Sequence, residues 1–98
     1  MARRAFVMKL RPGCEAEYAA KHDAIWPELV EQMRARGTRN YSIYRYGLLL
    51  FAYQENDGPA GEPTDLTRRW WQEMAPLMET DANGAPWRET LSEVFHLD

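Results

Sequence analysis

Phe6, Met8 and Leu10 alternate with Ala5, Val7 and Lys9 in the stretch RAFVMKLR, the period-two pattern of a strand over residues 4–11. Pro12-Gly13 closes it as a turn. The period then changes. Cys14, Tyr18, His22, Ile25, Leu29 and Met33 fall on one stripe at helical spacing. Pro27 interrupts that stripe, and a proline inside a helix costs roughly 3 kcal/mol, whereas the first helical position accepts it. The pattern therefore predicts two helices: one from Cys14 to about Asp23, and one from Pro27 to Arg36 that stops at Gly37. NYSIYRY (40–46) and LLLFAYQE (48–55) read as strands joined tightly at Gly47, followed by a loop over NDGPAGEP (56–63). Thr64 is a suitable N-cap for a helix from Asp65 to about Met78, its last turn weakened by Pro76. After the loop DANGAP, the alternation in ETLSEVFHL predicts a final strand over 89–97.

The order β-α-β-β-α-β is that of a ferredoxin-like α+β domain, here a single domain over residues 1–98. In such a domain the helices cover one sheet face. LLLFAY, however, is apolar on both faces, and Tyr44, Tyr46 and Tyr53 add large rings. The second face calls for cover as well, and a partner subunit supplies it most simply. The expectation is a homodimer with two sheets packed face to face, a dimeric α/β barrel.

Composition narrows the class of function. With 45% hydrophobic and 28% charged residues the chain is globular rather than disordered. Its net charge of −3, with basic residues scattered among acids, argues against a nucleic-acid partner. No segment approaches the ~20 apolar residues of a membrane span. The start of the chain lacks the apolar h-region of a secretory signal. The lone Cys14 cannot form an intramolecular disulfide. A cytoplasmic location is expected. Two histidines and one cysteine show no metal-ligand spacing, and no nucleotide-binding or hydrolase motif occurs.

Candidate chemistry gathers in EYAAKHDAIWPEL, residues 17–29, where Tyr18, His22 and Trp26 recur four residues apart. Cores favour Leu, Ile and Val, because these rings each bring a polar atom that needs a partner. A lone histidine on an apolar stripe is more often a hydrogen-bonded core residue. Tyr18, one turn earlier, favours a chemical reading, since an imidazole suits acid–base work near neutral pH. Trp26, beyond the break, reads as core or interface. In RRWW, Trp70 continues the core stripe of Leu66, Met74 and Leu77, while Trp71 lies about 100° around the helix. It can wall a groove or meet a partner subunit. Tyr41 shares a strand face with Ile43, and His96 reads as structural or superficial.

Taken together and in order, RRAFVMKLRPG, EYAAKHDAIWPEL, NYSIYRY, LLLFAY, RRWWQEM and LSEVFHL resemble the L-rhamnose mutarotase family across nearly the whole chain. The resemblance implies a cytosolic homodimer that interconverts the α and β anomers of L-rhamnose without a cofactor. It makes His22 the proton donor and Tyr18, Tyr41, Trp70 and Trp71 the sugar-binding residues. RYGLLL and NDGPAGEP look shorter than the corresponding family turns. Neither touches a matched site residue, but both bear on the pocket rim and so on sugar preference. Two other readings fit the same scaffold: a cofactor-free monooxygenase with an aromatic pocket, and a ligand-binding dimer without catalysis.

Overall fold

The computed structural model of the chain describes residues 1–58 and 61–98, so Pro59 and Ala60 of the expected loop lie outside the described residues. Strands β1 (Ala2–Lys9), β2 (Thr38–Tyr46), β3 (Leu49–Asn56) and β4 (Glu89–Leu91) form one antiparallel sheet in the order β2-β3-β1-β4. Helices α1 (Glu15–Asp23), α2 (Pro27–Ala35) and α3 (Asp65–Met74) complete the α+β fold. Among the described residues no helix is long and apolar enough to cross a membrane.

The break between α1 and α2 follows from Pro27. Trp26, the residue before it, is extended (φ −61°, ψ 125°), the conformation that a following proline favours. Pro27 then opens α2 within its first turn, as expected. Thr64 caps α3: its Oγ1 accepts the Thr67 N–H at 3.2 Å. The same hydroxyl donates to Gln32 Oε1 at 2.8 Å, and Gln32 Nε2 donates to Thr67 Oγ1 at 2.9 Å, so one amide joins α2 to the start of α3. Lys21 Nζ and Glu73 Oε2, 2.9 Å apart, join α1 to its other end.

One face of the sheet is core. Phe6 and Met8 from β1 and Leu50 and Ala52 from β3 pack with Tyr18, Met74, Leu77 and Met78. Burying each large apolar side chain contributes roughly 1.5–3 kcal/mol. Among the described residues no helix lies over the opposite face. There Phe51 stands between Val7 and Tyr44 in the register, and Tyr44 and Tyr46 are 68% and 79% exposed.

Two elements end earlier than their patterns predict. The third helix stops at Met74 rather than Met78 and tightens into a 3₁₀ turn over Ala75–Leu77, because Pro76 has no N–H to continue the ladder. The final strand covers Glu89–Leu91, not 89–97. Its ladder with β1 ends where Leu91 faces Ala5, although β1 runs on to Ala2, and beyond it the chains are joined by side chains, through the Arg3–Glu93 ion pair (2.8 Å). The tail beyond Glu93 overruns the sheet and leaves Val94, Phe95 and Leu97 almost bare.

β2 begins two residues before its predicted start and carries an irregularity. Thr38 faces Asn56 and Ile43 faces Ala52, so β2 holds one extra residue between Arg39 and Ser42. Asn40 takes a positive φ of 50° there, which asparagine tolerates better than most residues. The bulge resets the alternation of β2, so that Thr38, opposite Asn56, shares the side of Ile43 despite its parity, while Tyr41 lines the helix-side cavity along with Ile43, as their spacing predicts.

Gly37 and Gly47 separate two effects of added bulk. Both have positive φ (88° and 58°), but a Cβ on Gly37 would lie 3.0 Å from the Asp57 carbonyl oxygen, whereas one on Gly47 meets nothing within 4 Å. Gly47→Ala is expected to cost ~1–2 kcal/mol, the left-handed penalty alone, and Gly37→Ala distinctly more. Urea unfolding of both variants checks the order, and equal losses would refute it.

Candidate active site

α1, α2, α3 and the helix-covered sheet face line a cavity of about 1130 Å³, somewhat larger than the ~300–1,000 Å³ of ordinary small-ligand pockets. His22, Tyr18, Tyr41, Trp70 and Trp71, the five residues singled out in the sequence, all line it. The helical spacing from Tyr18 to His22 stacks their rings, with centroids 4.2 Å apart and planes tilted by 31°. Trp70 meets His22 edge-on at 5.4 Å and Trp26 edge-on at 5.1 Å. Trp26 thus buttresses Trp70, in keeping with a packing role. Trp70 also abuts the core cluster, and Trp71, the next residue around the helix, is another half-buried wall of the cavity. His96 lies on the exposed tail, 2.7 Å from Asp98 Oδ1.

The His22 tautomer follows from one contact. Its Nδ1 lies 3.0 Å from the backbone carbonyl oxygen of Tyr18. A carbonyl can only accept, so Nδ1 carries the proton and, in the neutral ring, Nε2 carries the lone pair. Burial lowers the His22 pKa, partly opposed by that carbonyl and by the Asp23 carboxylate. The ring is therefore a neutral base at pH 7. Tyr18 is 6% exposed, and desolvation, with a smaller contribution from Tyr41, pushes its pKa well up. Tyr18 stays a phenol and a hydrogen-bond donor. Tyr41 behaves similarly: 38% of the residue is exposed, yet desolvation of its hydroxyl raises the pKa against the opposing charges of Arg88 and Arg4.

Those two arginines also line the cavity, and neither stood out in the sequence. Arg4 has the parity of Phe6 and Met8 on β1, a signal that places it under the helices. Arg88 sits in a segment without periodicity, and only the fold brings it in. Among the described residues no group of three or more His, Cys, Asp or Glu side chains comes together as a metal site.

A family model described as L-rhamnose mutarotase matches residues 3–97. An L-rhamnose mutarotase from Bacteroides thetaiotaomicron is 42% identical over 104 aligned positions, covering 100% of both chains. One from Rhizobium meliloti is 44% identical and covers 99% of each. The crystal structure of an L-rhamnose mutarotase from Formosa agariphila superposes with a TM-score of 0.92 at 32% identity, covering 100% of both chains. Fold and matches together define a small α+β isomerase. The chain belongs to the L-rhamnose mutarotase family.

The lowered His22 pKa has a measurable consequence. The folded state holds this proton less tightly than the unfolded chain, whose histidine titrates near 6.5. The contribution of neutral His22 to stability is thus complete above that value and declines as pH falls through it toward the lowered folded value. NMR titration of the imidazole should give a midpoint below 6.5, and His22→Phe should flatten the stability profile in that window. A midpoint above 6.5 would contradict the burial argument.

Proposed function

We propose that His22 is the proton-transfer group of an L-rhamnose mutarotase, the activity to which the family assignment points. The single observation carrying this reading is the Nδ1 contact to the Tyr18 carbonyl, which leaves Nε2 as the base in an aromatic cavity. The anomeric hydroxyl gives its proton to Nε2. The C1–O5 bond breaks, C1 becomes an aldehyde carbon, and O5 takes the proton. Both oxygens are bonded to C1, so one nitrogen can serve each in turn. Rotation about C1–C2 and reclosure on the other face return the proton by the same route and give the second anomer. Only protons move, so the step calls for no cofactor. Positioned acid–base groups contribute ~10²–10⁴-fold, ample for a reaction that already proceeds in water. Trp70 and Trp71 stack on the apolar faces of the sugar ring, and Tyr18 and Tyr41 donate hydrogen bonds to its oxygens.

We also propose that the working form is a cytoplasmic homodimer. Phe51, Val7, Tyr44 and Tyr46 make an apolar patch on the uncovered sheet face, and a second sheet covers it as a dimeric α/β barrel. The overhanging Val94, Phe95 and Leu97 then have a neighbour to pack on.

Saturation transfer between the two anomeric proton signals reads the exchange rate at equilibrium. Wild type should accelerate L-rhamnose exchange, and His22→Ala should lose most of that acceleration while still binding sugar. Trp71→Ala should weaken sugar binding with little loss of stability. Trp70→Ala should do both, since its half-buried indole packs on the core and its loss costs part of the ~3–5 kcal/mol of a fully buried one. A wild-type rate equal to that of buffer would transfer the assignment to a binding module. Oxygen uptake with a quinol substrate would favour the monooxygenase instead.

Light scattering at micromolar concentration should give the mass of two chains, and Phe51→Asp should halve it. A wild-type monomer would overturn the dimer.

A further inference from the structure

Two guanidinium groups in the cavity have no role in the proton transfer above. Arg4 lies on the helix-covered side of β1. Arg88, just before β4, places its Cζ 5.1 Å from the centroid of the Phe6 ring, itself only 4% exposed. The ion pairs among the described residues involve Arg3, Lys21, Arg68 and His96, and none includes Arg4 or Arg88. The contrast along β1 is informative. Arg3, on the other side of the strand, is held by both oxygens of Glu93 at 2.8 and 3.1 Å, while its neighbour Arg4 has no carboxylate within 4.0 Å. Arg88 is exposed at the cavity, its planar fork of N–H donors has no carboxylate partner among the described residues and is open to a ligand, and a guanidinium can only donate.

We propose that Arg88, assisted by Arg4, is a specificity-determining residue whose guanidinium fork binds the adjacent hydroxyls on C3 and C4 of the sugar. The proposal rests on the mutarotase reading for the identity of the ligand. Placement supports it. Tyr41 lies within the field of both arginines and itself acts on Tyr18, which stacks on His22. Arg4 faces Gln54 across β1 and β3, and Gln54 stands opposite the bulge that carries Tyr41. The cavity therefore runs from an imidazole, through two phenols, to a cationic end. A pyranose with its anomeric carbon at His22 turns the far side of its ring, C3 and C4, toward that end. Two neighbouring oxygens suit the paired N–H groups much as a carboxylate does. The stacking on Phe6 orients the fork.

The test compares wild type, Arg88→Met and Arg88→Lys on L-rhamnose and on its 3-deoxy and 4-deoxy analogues. Saturation transfer gives exchange kinetics, and tryptophan fluorescence gives sugar affinity independently of catalysis. Arg88→Met should raise KM about tenfold or more while kcat stays within about twofold, the pattern of lost binding rather than lost chemistry. Arg88→Lys should recover part of the loss. In wild type each deoxy analogue should bind about tenfold more weakly than L-rhamnose, and in Arg88→Met that penalty should nearly vanish. Unchanged KM and affinity in Arg88→Met, or equal deoxy penalties in both proteins, would overturn the proposal. Absence of wild-type exchange with sugar binding intact would refute the mutarotase reading, and the fluorescence comparison would still decide the role of Arg88. If Arg88→Met melts early, Arg4→Met and the analogue series on wild type carry the same comparison.

Discussion

Helices cover only one face of the four-stranded sheet, and the rest of the molecule depends on that asymmetry. The covered face supplies Phe6, Met8, Leu50 and Ala52 to the core. The same layer contact, where aromatic rings replace aliphatic side chains, opens into the cavity. Core and site are thus one continuous packing problem. Tyr18 is among the core residues while also lining the cavity, and Trp70 packs against the core while bordering the same cavity. The uncovered face leaves Tyr44, Tyr46 and Phe51 exposed on the single chain.

The placement of α3 sets the geometry of the site. The Gln32 amide bridges to Thr64 and Thr67 at one end of the helix, and Lys21 pairs with Glu73 near the other. The ion pair is exposed and contributes little by itself. Together the contacts set Trp70 edge-on between His22 and Trp26. Enclosure by these rings also sets the electrostatics. Removing water disfavours charge, so His22 is held neutral and Tyr18 protonated. One helix thereby offers a base and a donor one turn apart.

The single contact from Nδ1 to a carbonyl converts an ordinary helical repeat into an oriented imidazole. It uses the free accepting capacity of a carbonyl at i−4, so it needs no second-layer carboxylate. That economy suits a group whose task is to pass a proton.

Local chemistry was enough to place most of the fold. Alternation on β1, the two-helix break at Pro27, the Thr64 cap and the strand–turn–strand around Gly47 all arise from neighbours in sequence, so the chain displays them directly. The residues of the cavity were legible as well, because polar-tipped rings at helical spacing are poor core material, and the strings around them resemble one family. Other features depended on partners distant in sequence. The final strand alternates as far as Leu97 but pairs only to Leu91, and in that register β1, which starts at Ala2, has no residue to set opposite Phe95 or Leu97. The start of β2 takes its side through a bulge before Ser42 that no local pattern marks, whereas Tyr41 keeps the face its spacing from Ile43 predicts. Arg88 joins the cavity only because β4 lies beside β1, which brings its guanidinium over Phe6. Periodicity reports which face of an element is apolar. Where an element ends, and which charges meet across the chain, is decided by hydrogen-bond partners and packing that exist only after folding.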